Sequence, residues 1–339
     1  VGPLFATPRT ATVSYEIGFS AYFGDSASTL FIYSAIYFTL VMLVSLYPHK
    51  ILDTVGYVLS PLKILSLLIL GITAFIIPTG TISPAIHNYV NSPVSEGFIN
   101  GYLTMDTLGA LVFGIVIINA IRSRGVTDKK LITRYAVWAS LISGIGLTLV
   151  YLSLFKLGMG SHDVAANASN GAIILHAYVQ HAFGGFGSVF LAAMIFIACL
   201  VTAIGLTCAC AGYFEQITKI HYRRWVFILV GFAFVISNLG LTKLIAVSVP
   251  ILSAIYPPAI VVILLSFFWG LFRIPTRVIA PTAAVALFFG IIDAMKAADL
   301  ARFLPTSLTN LPLSEQNLAW LIPALLIFVF AAIRDRMKK

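Results

Sequence analysis

The chain has 339 residues, 60% of them apolar and only 10% charged, with a mean hydropathy of +1.00. Soluble domains carry roughly 45–50% apolar and about 25% charged residues, so charge this sparse cannot clothe a water-soluble surface. The composition argues against a soluble enzyme, a nucleic-acid binder or a disordered chain and identifies an integral membrane protein. Its net charge of +9 then asks for a membrane explanation.

A helix needs about 20 mostly apolar residues to cross the hydrocarbon core. Ten stretches meet or approach that length: 1–19, 30–47, 55–77, 98–119, 134–157, 188–214, 225–241, 244–270, 277–298 and 316–334. They are too long and too continuously apolar for the alternating strands of about ten residues that build membrane barrels. The expected fold is all-α and polytopic, a single transmembrane domain over 1–339.

Span one opens at Val1 in an apolar stretch that holds Pro3, Pro8, Arg9 and Glu16, without a basic signal head or a small-residue cleavage site. It reads as the remainder of a longer helix, which makes the chain a fragment. Arg9 and Glu16 are seven residues apart and share nearly one helical face, suited to an ion pair or to a substrate contact.

Span four, Asn100 to Ala120, reads NGYLTMDTLGALVFGIVIINA. Asp106 falls near its middle, where an ionisable group costs about 2.5–3.5 kcal/mol on insertion scales. Gly101, Thr104, Thr107, Gly109 and Gly114 around it lower helix propensity. Asp is a favoured N-cap, and a half-helix from Thr107 to Asn119 rises only about 20 Å. A break near Thr104–Gly109 satisfies both observations and would offer backbone groups to the charged ends of substrates and ions. The alternative is an unbroken helix with Asp106 near the outer interface.

Between spans five and six, the connection 158–187 carries His176 and His181, which lack the one-turn spacing of a helical zinc pair. Its FGGFGS segment (Phe183–Ser188) is a turn without a phosphate-loop lysine, and Asn167-Ala168-Ser169 matches a glycosylation acceptor by pattern only. Span six contains Cys199, Cys208 and Cys210, read as small buried hydrophobes. Thr202 and Thr207 lie five residues apart, about 140° around the helix, and do not face one target. A small alkali cation takes hard oxygen donors, which Thr202 and the carbonyls of Ala198 and Cys199 can supply. The competing expectation is a hydroxyl bonded back to its own helix. Span eight has Pro250, Pro257 and Pro258, which predict a kink.

The basic residues sort the connections. Fifteen fall on one side: Lys50, Arg122, Arg124, Lys129, Lys130, Arg134, Lys219, Arg223, Arg224, Arg273, Arg277, Arg334, Arg336, Lys338 and Lys339. Lys156, Lys243, Lys296 and Arg302 fall on the other. The positive-inside rule makes the first side, and the C-terminus, cytoplasmic. No nucleic-acid partner is needed to explain the charge.

GPLFATPRTATVSYE (Gly2–Glu16), YLTMDTLGALVFGIVIINAIRSRG (Tyr102–Gly125) and IFIACLVTAIGLTCACA (Ile195–Ala211) resemble the bacterial branched-chain amino acid:cation symporters. NGAIILHAYVQHAFGG (Asn170–Gly185), SVPILSAIYPPAI (Ser248–Ile260) and EQNLAWLIP (Glu315–Pro323) are similar as well. The resemblance implies sodium-coupled, possibly proton-coupled, uptake of leucine, isoleucine and valine across the bacterial inner membrane. It brings neither a cofactor nor an obligate protein partner. It also implies the twelve-helix amino acid–polyamine–cation superfold, built of inverted repeats with broken helices. The family's broken first helix, its second helix and part of its third would precede Val1, so that these residues alone would not transport. Span four would then match family helix six, and span six family helix eight, which supplies hydroxyl ligands to sodium. On that basis the substrate residues are Thr104, Asp106, Thr107 and Gly109, with Phe5, Leu103 and Leu108 around the aliphatic tail. The ion residues are Thr202, Ala198 and Cys199, with Thr207 next. A membrane-embedded enzyme or a channel using Asp106 is the alternative, but Asp106 lacks the neighbouring acid–base groups or repeated polar residues that either requires.

Overall fold

The computed structural model describes residues 2–24, 26–77, 80, 82, 84–85, 89–166, 168–305, 308, 311–314 and 316–337, with backbone alone for 48–60, 102 and 115. Asn167 of the glycosylation pattern and Glu315 of the EQNLAWLIP segment lie outside the described residues. Every regular element among the described residues is helical. Among the described residues, six helical segments are long and apolar enough to cross a membrane: Ala27–Leu46, Pro93–Ser123, Lys129–Met159, Gly171–Ile217, Leu241–Ser266 and Pro275–Ala297.

The chain divides into two compact units, one of residues 1–84 and 109–244, the other of residues 85–108 and 245–339. In the first unit a π-helical turn, Gly2–Ala6, leads into α1 (Thr7–Gly18), the short α2 (Ser20–Phe23), α3 (Ala27–Leu46) and α4 (Pro48–Ile76). The body of α6 (Asp106–Ser123), α7 (Lys129–Met159), the short α8 (His162–Ala165), α9 (Gly171–Ile217) and α10 (Tyr222–Ser237) complete it.

Side-chain caps set several starts. Ser26 accepts the Thr29 amide at 3.1 Å, Asp128 the Lys130 amide at 3.0 Å, and Asn170 the Ala172 amide at 2.9 Å. Each satisfies an amide that the first helical turn leaves without a partner.

The sorting of faces follows lipid rather than water. On α3 the inward positions Ser34, Tyr37, Phe38, Val41 and Ser45 are buried, a spacing of three and four that defines one face. Phe31, Ile32, Ile36 and Leu43 are exposed on the other faces. An outward surface of Phe, Ile and Leu is what a bilayer accepts. α1 is the polar interior of this unit. Its Thr12 and Ser14 are buried and donate to the carbonyls of Arg9 and Ala11 at 3.2 and 3.0 Å, so the hydroxyls cost little inside.

Small residues let α1 and α9 approach. A Cβ on Gly18 would sit 3.0 Å from the Ala192 Cβ, and one on Gly2 would sit 2.8 Å from the Cys210 Sγ. The two contacts run in opposite chain directions, so α1 and α9 are antiparallel. Small-residue seams of this kind replace hydrophobic driving force between helices in lipid.

The connection expected at 158–187 is largely helical. α9 starts at Gly171 and runs 47 residues, which as a straight helix would reach about 70 Å, over twice the hydrocarbon thickness. It bends at Gly184, where φ is 65° and ψ −163°, a backbone region essentially reserved for glycine. Ser188 donates to Gln180 Oε1 at 2.5 Å across that bend. His176, Gln180 and His181 precede it on the first limb. The polarity of that limb departs from the apolar pattern of a span, although its backbone is helical.

The second unit contains α5 (Pro93–Leu103), the first residues of α6, α11 (Leu241–Ser266) from Ile245 onward, α12 (Pro275–Ala297) and α13 (Leu321–Met337). Val261 and Leu265 of α11, Ile279 and Ala286 of α12, and Trp320 and Ala324 at the start of α13 form its buried cluster. α11 stays one helix through Pro250, Pro257 and Pro258. Asp335 of α13 accepts the backbone amides of Arg273 and Ile274 at 2.7 and 3.2 Å, tying the two residues that lead into α12 to a neighbouring helix.

Candidate functional site

Span four is interrupted. α5 ends at Leu103 and α6 begins at Asp106, with Thr104 and Met105 between them. Met105 holds φ at 72°, the left-handed region that costs a side-chain-bearing residue about 1–2 kcal/mol. The Thr104 hydroxyl donates to the Gly101 carbonyl at 2.6 Å and to Asp106 Oδ2 at 3.4 Å, tying the two helix ends together. Asp106 is the first residue of α6 rather than the cap before it. Its carboxylate therefore stands at the positive end of the helix dipole.

The break sets the surroundings of the expected substrate residues. Met105 and Leu108 are buried, Leu103, Thr104 and Gly109 are half-buried, and Asp106 and Thr107 are exposed. Such an interruption leaves the first amides of α6 and the last carbonyls of α5 without helical partners. This is the backbone chemistry that recognises a charged ligand end. The boundary between the two units passes through α6 between Leu108 and Gly109. Leu103 to Leu108 thus belong to one unit, while Phe5, at the π-helical turn, belongs to the other, where it is buried.

The expected ion residues gather on α9 in the first unit. The Thr202 hydroxyl donates to the Ala198 carbonyl at 2.8 Å, the backbone-bonded arrangement that was the competing expectation. Bonded in this way, the hydroxyl oxygen keeps lone pairs for a cation. Thr207 is buried, and Cys199 packs against the cluster of Ala11, Tyr37, Phe38, Ala203 and Ile204. The antiparallel pairing of Gly2 with Cys210 and Gly18 with Ala192 levels Thr202 with about residue 9 of α1. It also levels Thr207 with about residue 4, in the π-helical turn. π-helical turns recur at functional sites because they leave carbonyls off the regular ladder. α6 reaches the same neighbourhood: a Cβ on Gly205 would meet the Phe113 ring at 3.4 Å.

Glu16 and Arg9 share α1, and Glu16 Oε2 accepts from the Asn170 amide group at 2.6 Å, at the start of α9. His176 Nδ1 lies 2.8 Å from the Ile17 carbonyl, so this imidazole braces α9 against α1. Among the described residues no group of three or more His, Cys, Asp or Glu side chains gathers as for a metal. A cavity of about 430 Å³ opens between α12 and α13, lined by Arg277, Pro281, Ile327, Phe330, Arg334 and Asp335. It sits at the start of α12.

A further ionisable residue lies apart from the expected substrate and ion residues. Asp293 of α12 is 2% exposed, and both of its carboxylate oxygens lack a hydrogen-bond partner among the described residues. The signal was available: it is an ionisable residue inside the apolar span 277–298.

Residues 1–338 match the family profile described as "Branched-chain amino acid transport protein". The chain is 60% identical over 337 residues to the branched-chain amino acid transport system 3 carrier protein of Pseudomonas aeruginosa, covering 99% of this chain and 77% of that one. It is 59% identical over 336 residues to the branched-chain amino acid permease BrnQ of Escherichia coli, covering 99% and 76%. The Bacillus subtilis permease BraB is 40% identical over 333 residues, covering 96% and 74%. No solved structure matches the chain. With its six apolar helices, this kinship makes the chain a multi-pass membrane protein. A single family profile running through both units, together with close relatives that are themselves transport proteins rather than enzymes, shows that the chain belongs to the branched-chain amino acid transport protein family.

Proposed function

We propose that the protein is a sodium-coupled importer of leucine, isoleucine and valine in the bacterial cytoplasmic membrane. The observation that carries this reading is the helix break at Thr104–Met105 within a chain of this family. An amino acid is a zwitterion with an apolar tail, and a broken helix offers backbone dipoles to charged ends in a medium where side-chain charges are costly. In this reading Thr104, Asp106 and Thr107 at the break hold the charged end, and Leu103 and Leu108 beside them receive the tail. A hydrophobic pocket separates single methylenes by only about 1–3 kcal/mol, so all three branched substrates are accepted.

The sodium ion sits at Thr202 with the carbonyls of Ala198 and Cys199, and Thr207 nearby. It favours the substrate-competent conformation, and linkage makes the substrate favour sodium equally. The proposed frame is the amino acid–polyamine–cation superfold with its ten expected spans and a cytoplasmic C-terminus, supported by the distribution of basic residues. The test is radiolabelled leucine uptake by cells expressing the gene, with sodium replaced by choline. Uptake should fall on replacement, and Thr202→Ala should raise the sodium concentration needed for half-maximal uptake. Undiminished uptake in choline rejects sodium coupling, and an unchanged sodium requirement in Thr202→Ala rejects the ion site.

A further inference from the structure

We propose that Asp293 of α12 is a monovalent-cation site, its carboxylate exchanging a proton or an alkali ion within the unit built by α11, α12 and α13. Four residues before the end of an apolar 23-residue helix, Asp293 is 2% exposed and both oxygens are unpartnered among the described residues. A carboxylate removed from water without hydrogen bonds or a counter-charge is far more costly than a lost hydrogen bond. A single positive charge removes that cost, whether it arrives as a proton or as a metal ion.

The nearest positive charge, on Lys296, attracts the carboxylate but gives it no hydrogen bond. Lys296, one turn further along α12, directs its ammonium group to the Ser314 hydroxyl and, at 3.5 Å, to the Ser314 carbonyl. Ser314 is itself buried, so the lysine has a built acceptor away from Asp293. Lys243, in the first turn of α11, is exposed, and the remaining charged groups of the packed elements sit at the opposite end of α12. There Asp335 binds the amides of Arg273 and Ile274, and Arg277 and Arg334 line the cavity beside it. From residue 274 to residue 293 the helix rises about 28 Å, beyond the reach of an ion pair. α11 adds the buried phenol of Tyr256, and the start of α13 adds the buried indole of Trp320, whose Nε1 also lacks a partner among the described residues. Neither carries positive charge.

α11 comes against α12 close to this residue. A Cβ on Gly290, one turn before Asp293, would stand 2.8 Å from the Ala254 carbonyl oxygen and 3.3 Å from the Ser253 carbonyl oxygen. Asp293 is therefore placed where a change in its charge is felt between two closely packed helices. The site lies on a different helix, in a different unit, from Thr202. It extends the proposed cation coupling but is measured by binding, without transport.

Purified protein in nanodiscs would be compared with Asp293→Asn, Asp293→Glu and Thr202→Ala. One arm follows the carboxylic-acid carbonyl band by difference infrared spectroscopy as pH is varied in choline buffer. The other follows equilibrium binding of radiolabelled sodium at fixed pH. The expected result is one component in one of the two arms, amounting to one cation per chain, that Asp293→Asn removes, that Asp293→Glu keeps, and that remains in Thr202→Ala after the Thr202 share of sodium binding is gone. A signal in the infrared arm assigns the proton, and one in the binding arm assigns the alkali ion. Signals in both arms that Asp293→Asn leaves unchanged overturn the proposal. Should Asp293→Asn fail to fold, a Thr202→Ala protein that binds no sodium, together with an infrared titration that is the same in wild-type and Asp293→Glu proteins, overturns it equally.

Discussion

Gly290 gives the sharpest test of how the second unit is packed. Replacing it with alanine introduces a Cβ 2.8 Å from the Ala254 carbonyl oxygen, 3.1 Å from Pro257 Cγ and 3.3 Å from the Ser253 carbonyl oxygen. Two of these are backbone atoms, which cannot swing aside as a side-chain tip can, so α11 and α12 must separate. Overpacking of this kind costs about 1–3 kcal/mol. Against it stands the gain of about 0.8–1.0 kcal/mol for alanine over glycine in a helix interior. The balance is a loss of up to about 2 kcal/mol. Gly231 of α10 supplies the control, because a Cβ there meets nothing within 4 Å. Gly231→Ala should hold or raise stability by up to about 1 kcal/mol. Thermal denaturation of the two purified variants in the same detergent measures the difference. A Gly290→Ala protein as stable as Gly231→Ala would refute the close α11–α12 approach.

Four further outcomes are expected. Gly184→Ala forces a side chain into the backbone region with φ at 65° and should lower stability by about 1–3 kcal/mol, read as an earlier melting midpoint. Asp335→Ala strips two amides at the start of α12 of their acceptor and should cost about 1–3 kcal/mol in the same assay. Leu252→Ala, at a position 1% exposed, should cost about 2–5 kcal/mol by leaving a cavity in α11. Leu108→Ala should raise the half-saturating leucine concentration in uptake by about tenfold, equivalent to about 1–3 kcal/mol of lost apolar contact, and should affect valine less.

The sequence announces some of these features and hides others for physical reasons. The break in span four is legible because Gly101, Thr104, Asp106, Thr107 and Gly109 all resist a continuous helix. Its hinge residue is not, because Met105, a good helix former, takes the left-handed conformation only under tertiary constraint. The helical start of α9 is masked by His176, Gln180 and His181, since periodicity in lipid counts apolar residues and a polar limb breaks the count. The backbone bonding of Thr202 is legible as a general tendency of hydroxyls within helices. Asp293 shows the limit most clearly. Composition identifies an acid in an apolar span, but only tertiary structure turns the Lys296 hydrogen bonds toward Ser314 and leaves both carboxylate oxygens without one among the described residues.

The central claim is recognition of a branched aliphatic amino acid. Equilibrium binding of radiolabelled leucine to the purified protein in sodium buffer tests it without recourse to a membrane gradient. Saturable binding displaced by isoleucine and valine, but not by lysine or glutamate, is the predicted result. Binding that is absent, or that lysine and glutamate displace as readily as valine, would contradict the account.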